Sequence, residues 1–249
     1  MLLNRLIWTA LVAALLVGSA QTALQRWQAL PILLAAEAFE DQKLVPQSGK
    51  TQAHEHGAAA EWAPADGLER QAWTWVANVL HGFSMALLLC AAMCLWVWRR
   101  GDSARPMRLG LAVAAAGWLS LHLWPSLGLP AEIPGMDVAR LGARQGWWVL
   151  AEASAALACA TAAFGRRPWR WFAAIAWLAL PYLVGAPQLD ADPLAGLGPV
   201  AQSQLRALAS QFVWVTTWIS VTLWLSLGVT CGWLFQRWLQ APLAALRGQ

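Results

Sequence analysis

The sequence predicts an all-α integral membrane protein, a bundle of six transmembrane helices forming a single membrane domain over residues 1–249. Three observations carry that expectation. Of 249 residues, 59% are hydrophobic and only 12% charged, whereas charged residues approach a quarter of an ordinary soluble domain. Apolar runs of about 20 residues recur, the length that crosses a hydrocarbon core of roughly 30 Å. Arginine gathers at one set of run ends and the acids at the other, as expected when positive charge is held in the cytoplasm. Nineteen tryptophans against one tyrosine fit the same class, because indole suits the headgroup level.

The first apolar run is Leu6 to Leu24, after Asn4 and Arg5. Its VGSAQTA end also fits a signal-peptide cleavage site, and a cleaved leader would leave five spans. A retained helix is favoured, because apolar character resumes past Arg26 and Trp27 through LPILLAA. Residues 26–70 read as an extracytoplasmic, acidic, histidine-containing loop, with four basic residues against seven acids. Further runs follow at Gln71 to Trp98, Leu109 to Leu127, Gly146 to Phe164, Trp171 to Ala186 and Ala209 to Phe235. Between the third and fourth, PSLGLPAEIPGMDVARLGARQ is dense in Pro and Gly and predicts ordered turns.

Orientation follows from charge. Arginines cluster at Arg5, at 99–108, at 166–170 and at 237–247, all on one side if six helices alternate. Both termini are therefore expected in the cytoplasm. Among the acids only Asp102 falls on that side, while eleven lie in the three outer loops and Glu152 within the fourth run. A net charge of +4 distributed this way points to membrane topology and not to nucleic acid.

At DGLERQAWTWVANVL the chain resembles the predicted cobalt transporter family called CbtA. The match recurs at PSLGLPAEIPG, ARQGWW and LPYLVGAPQ, so it covers most of the chain from about His54 onward. The resemblance implies a multi-pass membrane subunit of cobalt uptake in the bacterial inner membrane, linked to cobalamin synthesis. It also implies a small single-span companion with a histidine-rich end. No resident cofactor is expected; the divalent metal is cargo.

His54 and His56, flanking Glu55 and followed by Glu61, are the sharpest polar feature. Neutral imidazole binds Co²⁺, Ni²⁺, Cu²⁺ and Zn²⁺, and a carboxylate completes a mixed nitrogen–oxygen shell. The competing reading is a solvated loop with incidental histidines. Within the membrane, polar groups are costly and usually face a cavity or a partner. Asn78, His81 and Met85 share one helix face. His81, His122 and Glu152 fall at similar depth on three helices and are expected around a cavity open to the outside, with Arg144 or Arg140 the rival partner for Glu152. The bland alternative has His122 in the headgroup layer and His81 bonded to a neighbouring helix. Cys90, Cys94, Cys159 and Cys231 all fall in inner halves of helices and read as small buried hydrophobes.

Two motifs are decoys. QSGKT lacks the first glycine of a phosphate loop, since position 44 is Leu, and GFSMA lacks the last glycine of a nucleophile elbow. No nucleophile–base pair is visible, so an enzyme is not expected. The competing classes are a membrane-embedded binder of a small vitamin and a non-transporting scaffold for a metal-handling partner. The sequence leaves a homo-oligomer open.

Overall fold

A computed structural model describes residues 2–44, 64–65, 67–101, 105–189 and 191–247. Every regular element among them is helical, the expected outcome in lipid, where each backbone polar group must be satisfied within its own segment. The helices are α1 (Leu2–Leu24), α2 (Leu30–Leu44), α3 (Leu68–Arg100), α4 (Pro106–Trp118), α5 (Trp124–Ser126), α6 (Leu141–Phe164), α7 (Arg170–Val184), α8 (Pro199–Leu234) and α9 (Gln240–Arg247). Wide π-helical turns at Gln25–Ala29, Leu119–Leu123 and Phe235–Leu239 join α1 to α2, α4 to α5, and α8 to α9. The described residues thus form six continuous helical stretches.

Four of these stretches are long and apolar enough to cross a membrane: Leu2–Glu40, Leu68–Arg100, Leu141–Phe164 and Pro199–Leu246. The α4–α5 stretch joins segments of 13, 5 and 3 residues, together about 30 Å long at 1.5 Å per residue. Helix α7 has 15 residues, about 22 Å, less than a full hydrocarbon core. Large apolar side chains face outward over much of the surface, among them Leu88, Trp98, Phe172, Trp214 and Leu225, as a lipid-facing surface requires.

Each π turn is followed closely by a proline: Pro31, Pro125 and Pro242. A proline has no N–H to offer the carbonyl four residues earlier, and its ring crowds that turn. The helix widens instead of breaking. At the last of the three, the carbonyl deprived of its usual donor is that of Trp238, and Arg5 Nη1 donates to it at 3.2 Å.

Small residues let the helices meet at backbone distance, the usual solution where lipid removes any hydrophobic drive between helices. Helix α1 lays Ala10, Ala13, Ala14 and Gly18 against Gly82 and Ala86 of α3. Helix α4 meets α8 at Gly110, Ala114, Gly228 and Gly232, where a Cβ on Gly110 would lie 2.5 Å from the Gly228 carbonyl oxygen. Phe235, Leu89, Met93 and Leu227 fill the core beside them, with Cys90 and Cys231 fully buried among them. Helix α3 ends at Gly101, whose φ of 90° allows its N–H to reach the Val97 carbonyl at 2.9 Å.

The two ends of the bundle differ. At the arginine end, Arg100 donates to the Ala163 carbonyl at 2.7 Å and Arg170 to Gly165 at 2.6 Å, while Arg237 lies 4.6 Å over the Trp233 ring. At the acidic end a second, smaller core of Ala36, Ile133, Leu194, Leu197 and Leu205 knits α2 and α8 to the two connecting segments. The Asp137 N–H donates to the Pro193 carbonyl at 2.8 Å between those segments.

Three boundaries differ from the sequence expectation. The first helical stretch runs on to Leu44, where a loop was expected from residue 26. The reason is the packing of Leu33, Ala36 and Phe39 in the smaller core. Helix α6 starts at Leu141 and α8 at Pro199, each several residues before its apolar run, because proline and arginine are tolerated in a helix that emerges from the bilayer. Arg144 pairs with Glu132, not with Glu152. Burial pushes the Glu132 carboxyl up, against the opposing pull of Arg144.

Candidate functional site

One cavity of about 1180 Å³ opens toward the acidic end of the bundle. Its walls come from the end of α1, the first π turn, α2, the start of α3, the second π turn, α6 and α8. At the rim, Arg70 of α3 donates to Glu37 of α2 at 3.1 Å. Below it a polar seam ties α1 to α3. Asn78 donates to Thr22 Oγ1 at 3.0 Å and to Gln25 Oε1 at 2.8 Å, and Trp75 Nε1 donates to Ser19 Oγ at 3.0 Å. Asn78 is thereby an anchor of the wall, its amide N–H groups already used.

His81 lines the cavity one turn further along α3, and Met85 the next. His81 follows Leu68 by 13 positions, about 20 Å along a helix axis. It makes no hydrogen bond among the described residues, and its side chain stays open to the cavity. Glu152 faces the cavity from α6, beside Trp148. Glu152 likewise has neither ion pair nor hydrogen bond among the described residues, since Arg144 is held by Glu132.

His122 enters from the π turn ahead of Pro125. Its ring stacks on Trp118, 6.3 Å between centroids and 27° between planes. Its Nε2 is buried without a hydrogen-bond partner among the described residues. A buried nitrogen left without a partner forfeits about 1–3 kcal/mol, and a donor or metal reaches this one only if the side chains around it shift. The extra residue of a π turn rotates the following chain by about 100° relative to a continuous α-helix, and such turns recur at functional sites.

His81, His122 and Glu152 therefore line the same cavity from α3, the second π turn and α6. They do not form a ready-made coordination shell: no group of three or more His, Cys, Asp or Glu side chains among the described residues could hold one ion. His54, Glu55, His56 and Glu61 lie outside the described residues. The segment carrying them joins α2 to α3 in the sequence, and Glu37 from the middle of α2 and Arg70 from the start of α3 line the cavity.

Hydropathy and spacing missed several wall residues. Arg26 and Gln25 sit on the first π turn, and Thr216 and Ser220 project from α8. The readable signal for both π turns was the proline two residues past each.

Helices of this length and apolar character, packed around a partly open, polar-seamed cavity, define an α-helical membrane protein. The chain matches the family described as "Probable cobalt transporter subunit (CbtA)" over residues 3–236. That span covers nearly the whole sequence, and the chain belongs to this family of membrane transporter subunits. No curated protein and no solved structure matches it.

Proposed function

We propose that this chain is the membrane subunit of a cobalt uptake system linked to cobalamin synthesis, in the bacterial inner membrane with both termini cytoplasmic. His54 and His56, with Glu55 and Glu61, capture the divalent ion outside. His81, His122 and Glu152 then offer single donors to it inside the cavity. A small single-span subunit with a histidine-rich end works beside it. The observation that carries this reading is the unpartnered His122 Nε2 in a cavity shared with His81 and Glu152, in a family described as a probable cobalt transporter subunit. Lone donors suit passage, because a complete shell of His and carboxylate would hold the ion too tightly to release it.

Capture and passage separate kinetically. The double substitution His54→Ala with His56→Ala is expected to lower ⁵⁷Co²⁺ uptake several-fold at limiting metal and to leave it nearly unchanged at saturation. A loop ligand raises local metal concentration without forming the path. Equal uptake at the lowest metal concentration would remove the loop from the mechanism.

Topology supplies an independent check. A cysteine at Gln188, in the segment after α7, is expected to react with a membrane-impermeant maleimide added to intact cells, and one at Arg166 only after lysis. The reverse pattern would invert the direction of transport proposed here.

A further inference from the structure

Beyond the transport reading, and independently of it, we infer that the turn between α6 and α7 binds the phosphate of an anionic phospholipid whose chains lie along α7. The end of α6 is the starting point, because the last carbonyls of a helix have no partner within it. Arg100 reaches across from α3 to the Ala163 carbonyl at 2.7 Å, and Arg170 reaches back from α7 to the Gly165 carbonyl at 2.6 Å. Each guanidinium also lies over an indole, Arg100 5.8 Å from the Trp96 centroid and Arg170 4.8 Å from that of Trp171. The Trp96 and Phe164 rings, 5.8 Å apart, pack in the same seam. Two guanidiniums are thus fixed beside one short turn.

That turn supplies two more. Arg166 and Arg167 follow Gly165 directly, both exposed and without a hydrogen bond or ion pair among the described residues. No Asp or Glu among the described residues lies at this end of the bundle. The start of α7 adds to the positive charge. Its first turn holds no acid, and Trp169 ahead of it makes no side-chain cap, where helix starts ordinarily take an acid or a Ser, Thr, Asp or Asn cap. Four guanidiniums beside a helix start leave a charge that nothing described in the protein offsets. A phosphate offsets it, and its oxygens match the fork of a guanidinium.

The apolar neighbours decide which kind of anion fits. Trp169, Trp171 and Phe172 are exposed at the start of α7, and Ile175 continues the Phe172 face one turn on. A soluble phosphate gains nothing from these side chains. A phospholipid sets its phosphate at the arginines, its glycerol at the level where indole rings sit, and its chains along Phe172 and Ile175. Helix α7 is also short, 15 residues or about 22 Å. Lipid beside so short a helix thins to match it, which draws headgroups toward the helix ends.

Arginine is common at the cytoplasmic ends of membrane helices, so the test separates a site from diffuse charge. Purified full-length protein in a neutral detergent is titrated with phosphatidylglycerol, or with phosphatidylcholine of the same chains, and native mass spectrometry counts the lipids bound. The first phosphatidylglycerol is expected to bind about tenfold more tightly than the first phosphatidylcholine. Arg166→Gln with Arg167→Gln should remove that preference. Arg105→Gln with Arg108→Gln, which takes the same charge from exposed positions at the same end, should keep it. Thermal melts check that both double variants fold, and Arg167→Gln alone should weaken the preference partway. Millimolar inorganic phosphate should leave the lipid bound. Equal binding of the two lipids, equal loss in the two double variants, or displacement by inorganic phosphate would overturn the inference. The second of these results would mean charge spread over the surface, and the third a soluble anion.

Discussion

His122→Ala is expected to lower cobalt uptake at least tenfold at every metal concentration, with the protein still present in the membrane. The imidazole is carried by the Leu119–Leu123 π turn, braced on Trp118, with Nε2 buried and unpartnered. Removing a ring whose Nε2 has no hydrogen-bond partner among the described residues loses no such bond there, so the fold should tolerate the change better than uptake does. Losses of 10–100-fold in metal affinity follow from disturbing even the groups that only orient a ligand. The contrast with the loop histidines is diagnostic. Loop variants recover at saturating metal, whereas a path variant does not. Full uptake by His122→Ala at normal expression would take this residue off the route.

Gly110→Val is expected to destabilise the bundle by about 3 kcal/mol or more, lowering the melting temperature by about 10 °C. The obstacle is backbone, not a movable side chain. Even a Cβ at position 110 would stand 2.5 Å from the Gly228 oxygen and 3.0 Å from the Gly232 Cα. Helices α4 and α8 must therefore separate, and Trp224, which packs over Gly117 on the same interface, moves with them. Gly142→Val provides the control, since nothing lies within 4 Å of a Cβ there. Thermal melts of the two variants in one detergent compare them directly. Equal melting temperatures would contradict the close α4–α8 packing.

The membrane class was legible because it depends on sums over 20 residues, and those sums survive local irregularity. Helix ends were not, because they depend on what the chain meets after leaving the bilayer. Leu33, Ala36 and Phe39 extend the first stretch by packing on the segments around Ile133 and Leu194, contacts that no local pattern encodes. Depth along the helices put His81, His122 and Glu152 at one level, and the structure has all three lining one chamber. Their spacing around it was not readable, since it depends on helix rotation, and the π turn beneath His122 resets that rotation. The arginine alternative for Glu152 fails at Arg144 for a related reason. Glu132 lies in a turn-rich segment whose path folds back on the start of α6, so the nearer acid in space is not the one in the helix.

The claim that this chain carries cobalt into the cell is tested most directly by ⁵⁷Co²⁺ uptake in cells deprived of their own cobalt import. The cells would carry this chain with its companion, the companion alone, or this chain with His122→Ala. The account predicts accumulation only with the intact chain, reduced at least tenfold by the substitution. Equal accumulation with the companion alone would contradict it and leave the chain as a scaffold.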